Sequence, residues 1–215
     1  MEESTDRQLL ELARNVGVAD VMDAMGHLHR HHSHMVDLSS PMPDRLLFGP
    51  AVTMSFFPSC EDALPSETFN FVNVFDRAVR EGGRGRVLVM ASNGYPDVSL
   101  GGGTKMSRLV GHGLCGVLAD GRLRDFGQLA ELGLAVYCRG EAFRWGGDKV
   151  TPVEANRPVV VGGVAVRPGD YVFARGSGAV IIPRTQVLEV LTDAKATMDN
   201  EAAVAEGWTR DAADG

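Results

Sequence analysis

Apolar residues recur along this 215-residue chain in two rhythms, and the rhythm changes several times. Leu9, Leu10, Leu12, Ala13 and Val16 follow a helical period, which predicts a helix over Arg7 to Val16. A second short helix is expected over Val18 to Met25, with Asp20 and Asp23 near the end that favours acids. The period then breaks from Gly26 to Asp44, which reads as a loop. Ala51 to Phe57 predicts a strand, Glu67 to Glu81 a helix, and Arg86 to Ala91 a continuous apolar strand. Leu100 to His112 is mostly helical after its glycines. Strand Cys115 to Ala119, helix Phe126 to Leu132 and strand Ala135 to Cys138 follow.

This alternation predicts an α/β fold with parallel strand pairing. The last third has another character. Val159 to Val161, Val164 to Val166, Tyr171 to Ala174 and Ala179 to Ile182 read as short strands between Gly and Pro turns. A final helix is expected over Thr185 to Glu206, and the acidic tail after about Trp208 is expected to fray. No internal repeat and no linker divides the chain, so residues 1–215 are expected to form one domain.

Composition narrows the function classes. The chain is 44% hydrophobic and 23% charged, as soluble globular proteins are. A net charge of -7 argues against a basic nucleic-acid surface, so a small anionic ligand would need a local positive site. No apolar run approaches the roughly 20 residues of a membrane span. The start, Met1-Glu2-Glu3-Ser4, has no leader pattern, which makes the cytoplasm the expected location. The three cysteines lack zinc-ligand spacing. Cys115 and Cys138 fall in apolar strands and are expected in the core, with Cys60 in a polar loop.

The candidate chemistry lies after the strand Cys115 to Ala119. Asp120-Gly121-Arg122-Leu123-Arg124-Asp125 forms a tight polar turn that puts a guanidinium beside a carboxylate. A planar guanidinium fork grips a carboxylate through two hydrogen bonds. A carboxylate oxygen holds a hard cation such as Mg²⁺. Either group could equally form an ordinary surface ion pair. Upstream, Gly101-Gly102-Gly103-Thr104-Lys105 opens a helix, where free amides attract anions. No Gly-Lys-Ser/Thr follows, so this is not a P-loop.

The Asp-Gly-x-x-Arg-Asp turn, the upstream glycine run, Pro168-Gly169-Asp170 and Gly178-Ala179-Val180-Ile181-Ile182-Pro183 together resemble the RraA-like family. The resemblance runs from about Val18 to Glu206. That family includes class II 4-hydroxy-4-methyl-2-oxoglutarate aldolases, oxaloacetate decarboxylases and regulators of RNase E. The resemblance implies a three-layer β/β/α swivelling-type fold and a homotrimer or dimer of trimers. It implies a lyase acting on a small 2-oxo acid through an enolate, with Mg²⁺ or Mn²⁺ as cofactor. By the same resemblance, Arg124 and the Thr104 and Lys105 amides, beside Gly102 and Gly103, would hold the substrate. Asp125 would hold the metal, and Glu201, with Asp199 an equal candidate, would serve a neighbouring subunit's site.

Two positions depart from the family pattern. Gly103 stands where its aldolases carry an acid, and Arg175 stands where an aspartate is usual. Arg175 becomes either a further substrate contact or a surface side chain. A changed reaction in the same cavity (isomerase, hydratase or cyclase) stays open, as does a non-catalytic protein-binding regulator. Gly121 is expected to supply a turn conformation closed to bulkier residues. Asp120 is either a structural acceptor in the turn or a positioning group behind the site. His112 is a base or a helix-end histidine. His27, His29, His31, His32 and His34 form either a polar loop or an imidazole metal site.

Overall fold

Four parallel strands, buried on both faces, form the middle of the protein: β2 (Leu47–Pro58), β3 (Val87–Ala91), β5 (Gly116–Ala119) and β7 (Ala135–Tyr137). In this computed structural model, residues 2–28, 32–176 and 178–213 are described. Burial on both faces explains the unbroken apolar runs, because each face of a strand needs its own apolar set. Val52, Met54, Leu88, Met90, Val117 and Val136 point to one core. Their alternates Ala51, Val87, Val89, Leu118, Ala135 and Tyr137 point to another.

The first core is closed by three helices: α3 (Phe71–Ala78), α4 (Gly103–Gly111) and α5 (Phe126–Glu131). The crossover helices thus share one face, as right-handed connections between neighbouring parallel strands require. The second core lies between this sheet and a β-rich layer. That layer holds the hairpin β9 (Val159–Val161) and β10 (Val164–Val166), with β11 (Tyr171–Arg175) and β12 (Gly178–Ile182). Strand β2 joins the two layers: its first residues pair antiparallel with β11, its later ones parallel with β3. The sheet order is β1-β12-β11-β2-β3-β5-β7, with β1 (His34–Met35) at one edge. A third core packs α1 (Glu2–Arg14), α2 (Val18–Leu28) and α6 (Val187–Ala213) on the outer face of β11 and β12. The architecture is the expected α/β arrangement with stacked β layers and helices.

Several element boundaries differ from expectation. Helix α3 starts at Phe71 rather than Glu67, because Asn70 caps it: Asn73 N donates to Asn70 Oδ1 at 3.0 Å. Residues 99–101 and 122–123 form a small parallel pair, β4 (Ser99–Gly101) and β6 (Arg122–Leu123). Strand β8 (Val150–Ala155) pairs with β2 and was not expected. Helix α6 spans Val187–Ala213, starting later and ending later than the expected Thr185 to Glu206. Thr209 Oγ1 and Arg210 Nε donate back to the Ala205 and Glu206 carbonyls there. Among the described residues, no helix is long and apolar enough to cross a membrane.

Candidate functional site

The Asp120–Asp125 turn is gripped from both sides. Arg122 N donates to Val98 O at 3.0 Å and Arg124 N to Gly101 O at 2.9 Å, fixing it to β4. Leu123 N donates to Gly140 O at 3.1 Å, and Ala142 N to Leu123 O at 2.8 Å, fixing it to the segment after β7. Asp120 ties the start of the turn to two further elements. Its carboxylate accepts from Ser92 N at 2.6 Å and from Gly162 N at 3.1 Å. It holds the backbone behind the site and is absent from the lining of the cavity described next. Gly121 is needed for a different reason than expected. Its φ is not positive, but a Cβ there would lie 2.6 Å from Leu100 Cγ and 3.1 Å from Val98 O. Close packing on β4, not an unusual turn, excludes a side chain.

Asp125 is the strained residue of the site. It sits in the left-handed region at φ 64, ψ 47, at the N-cap of α5, yet its side chain does not cap that helix. Glu141 does so instead, accepting from Phe126 N at 2.8 Å. Asp125 therefore turns toward α4, where its Oδ2 accepts from Gly103 N at 3.1 Å. Gly102 allows this approach: a Cβ there would lie 2.5 Å from Asp125 Oδ2 and 3.2 Å from Arg124 Cβ. Aspartate adopts this conformation more readily than most residues, at a modest energetic cost.

The turn and the start of α4 enclose a cavity of about 250 Å³. Arg124, Asp125, Gly102, Thr104 and Lys105 line it. The first intrahelical bond of α4 runs from Met106 N to Gly102 O, so the Thr104 and Lys105 amides have no helical acceptor. Burial, then the neighbouring Arg124 charge, lowers the pKa of Lys105. Its ammonium also lies 5.3 Å from the Phe71 ring centroid. The cavity thus combines two cations, free helix-start amides and one carboxylate, a combination that favours a bound carboxylate.

Residues 18–181 match the family model described as RraA-like, Aldolase/RraA. The chain belongs to the RraA-like family. Among curated relatives, it is 24% identical over 191 residues to "Protein DlpA" of Legionella pneumophila, covering 89% of this chain and 30% of that protein. It is 30% identical over 128 residues to a "Putative 4-hydroxy-4-methyl-2-oxoglutarate aldolase" of Halalkalibacterium halodurans, covering 59% of this chain and 60% of that one. In both, the match spans less than two thirds of the relative's own length. Among solved structures, Streptomyces coelicolor RraAS2, described as an unusual member of the RNase ES inhibitor RraA protein family, superposes with a TM-score of 0.78. It is 25% identical, over 94% of this chain and 98% of that one. The fold is thus that of RraA proteins.

The other residues that the RraA-like resemblance singles out are dispersed. Gly103 is buried beneath the cavity and does not line it. The space a side chain would take there holds Gln128, whose Oε1 lies 1.9 Å from an ideal Cβ. Arg175 ends β11, near the Tyr137 hydroxyl, whose pKa burial raises to about 12 against a smaller lowering by the Arg175 charge. Within one chain, Arg175 does not line the Arg124 cavity. Glu201 is exposed on the outer half of α6, also away from the cavity. Asp199 pairs with Lys195 one turn earlier. His112 ends α4 with its ring edge-on to Phe75, 5.2 Å between centroids. Cys138 is buried and Cys60 exposed; Cys115 is largely shielded, and burial pushes its thiol up to about 12.

His27 faces Asp193 of α6 at 3.4 Å, and the His32 and His34 rings lie 4.7 Å apart. His29 and His31 lie outside the described residues. No group of three or more His, Cys, Asp or Glu able to hold a metal occurs among the described residues. For the divalent cation the family implies, this chain offers one ligand, Asp125. Its Oδ2 is engaged by Gly103 N, and its Oδ1 has no protein partner among the described residues. That donor set fits Mg²⁺ or Mn²⁺ held mainly by water and substrate, since Mg²⁺ commonly binds through one or two carboxylates.

Three contributors went unnoticed in the sequence. Glu141 frees Asp125 by capping α5, Gln128 covers Gly103, and Trp145 lines the cavity mouth. Glu141 and Trp145 sit in an irregular segment without periodicity. The only signal was Trp145-Gly146-Gly147, a large ring beside two residues that make room for it.

Proposed function

We propose that this chain is a lyase of the aldolase or decarboxylase type acting on a small 2-oxo acid. The observation that carries the reading is the convergence of Arg124, Lys105 and the first-turn amides of α4 on one cavity. The Arg124 fork and the Thr104 and Lys105 amides bind the substrate carboxylate. Cleavage of the C3–C4 bond releases CO₂, or a carbonyl fragment once the C4 hydroxyl gives up its proton; the electron pair stays on C3, the 2-oxo oxygen takes up the charge as an enolate, and a proton added at C3 completes the turnover. The positive charges of Arg124 and Lys105 stabilise that developing negative charge more strongly in a half-buried cavity than in water. Asp125 would hold a Mg²⁺ or Mn²⁺, which would supply further positive charge against the enolate. Aldolase-named relatives support the reading.

By the family resemblance, the assembly is a closed homotrimer or dimer of trimers, with Glu201 reaching a neighbour's cavity. A protein-binding regulator is the second reading. The whole-length likeness to RraAS2 and the exposed Val204 and Trp208 of α6 favour it.

Oxaloacetate decarboxylation by Arg124→Lys, followed beside thermal unfolding, tests the main reading. Losing the bidentate fork while keeping the charge should cost roughly 1.5–3 kcal/mol of transition-state stabilisation. Unchanged kinetics in a folded variant would refute the lyase assignment.

A further inference from the structure

A second cavity of about 470 Å³ adjoins the first, and Ser99 and Trp145 line both. Its walls differ in kind. Val98, Ala142, Phe143 and Trp145 give it an apolar surface. Of its charged groups, Arg122 pairs with Asp97 at 3.0 Å, Arg144 pairs with Asp148, and Glu141 is held by the Phe126 amide. Lys149 is the one remaining cation of the lining, at its exposed rim. Two of the three cations lining this chamber are thus in ion pairs, whereas among the described residues neither Arg124 nor Lys105 is.

The placement of Trp145 depends on its neighbours. Gly146 is buried against β4, where a Cβ would lie 2.2 Å from Ser99 O. A Cβ on Gly147 would lie 2.0 Å from Trp145 Cζ2, so the indole folds back over bare backbone. The two glycines together hold a large aromatic face at the boundary of the chambers. That face is 57% exposed, and Phe143 beyond it is 98% exposed. Adjacent exposed aromatic side chains at a cavity mouth form the kind of apolar patch that marks a ligand-binding groove.

We infer that the two chambers are one ligand site for a 2-oxo acid bearing an aromatic tail, with the tail stacked on Trp145. This deepens the function proposed above and rests on carboxylate binding at Arg124. The inner chamber, at 250 Å³, is smaller than the roughly 300–1,000 Å³ of usual ligand pockets, and the outer one falls within that range. An aryl group in the outer chamber removes apolar surface from water and adds offset ring stacking. A second carboxylate there would meet mostly paired charges and apolar walls.

Calorimetric titration of the full chain with pyruvate, oxaloacetate and phenylpyruvate tests this, in wild type, Trp145→Ala, Trp145→Phe and Arg124→Ala. Phenylpyruvate should bind at least about tenfold tighter than pyruvate. Trp145→Ala should erase that advantage, weakening phenylpyruvate far more than pyruvate, and Trp145→Phe should restore most of it. Arg124→Ala should weaken all three acids together. Equal binding of pyruvate and phenylpyruvate, a preference for oxaloacetate over phenylpyruvate, or an aromatic advantage that survives Trp145→Ala overturns this inference alone. Binding indifferent to Arg124→Ala, or no binding of any acid, overturns the carboxylate reading and this inference with it.

Discussion

Gly102→Ala separates the demands of folding from those of the site. Gly102 has φ -158 and ψ -174, extended backbone that alanine adopts freely. The conflict is steric and one-sided. The new methyl would lie 2.5 Å from Asp125 Oδ2, 3.2 Å from Arg124 Cβ and 3.5 Å from Arg124 Nε. The carboxylate must move by about 1 Å to reach ordinary contact. Arg124 must yield by a few tenths. The displaced carboxylate loses the Gly103 N–H, a charge-assisted bond typically worth about 1.5–3 kcal/mol and less here because Asp125 is exposed. Stiffening the unfolded chain by Gly→Ala returns about 0.4–1 kcal/mol. Stability should therefore change by about 1 kcal/mol, a Tm shift of roughly 2–4 °C at this chain length. The site should suffer far more, since a misplacement of about 1 Å can cost about 100-fold in rate. Scanning calorimetry, oxaloacetate turnover and pyruvate titration on one preparation make the comparison. Wild-type turnover with wild-type affinity would sink the claim that Gly102 exists to admit Arg124 and Asp125. A collapse of Tm well beyond a few degrees would show that the glycine serves the fold instead.

Other outcomes follow from the same geometry. Burial and Arg124 lower the pKa of Lys105, so its charge is lost at a lower pH than an ordinary lysine's as pH rises. Pyruvate affinity should fall on the alkaline side below the usual lysine range, and Lys105→Arg should remove that fall; a profile unchanged by the substitution refutes it. Gly103→Asp must push the exposed Gln128 side chain aside, so Gly103→Asp with Gln128→Ala gives the clean test and should tighten Mg²⁺ or Mn²⁺ binding in calorimetry. Equal metal affinity in a folded double variant would mean that position 103 does not face the cation. Sedimentation should give a trimer or its double, and a micromolar monomer removes any role for Glu201 in a neighbour's cavity.

The parts legible in the sequence are those whose burial is uniform. Val87–Ala91 and Gly116–Ala119 are apolar at every position because helices cover one face and the second β layer covers the other. Strand β8 escaped notice because Pro152 interrupts it and its exposed side carries Glu154, as suits a strand paired only with β2. β4 and β6 are too short to show any period. Arg124 and Asp125 were legible because the turn keeps them adjacent. The geometry that frees Asp125 was not, since it depends on Glu141 reaching back across fifteen residues of irregular chain.

Helix α6 has 27 residues, and its burial ends abruptly. Val187, Val190, Leu191 and Ala194 are packed into the third core, while residues 199–206 are exposed at every position. Such a helix behaves as two thermodynamic segments. Amides of the first half are released to solvent only when the helical layer comes apart. Those of the second are held by helix propensity alone, which is marginal for a segment of that length. Hydrogen exchange along this one helix should therefore run slow and then fast. Anything that docks over Val204 and Trp208 would slow the second half selectively, so the backbone itself reports association without a label near the cavity.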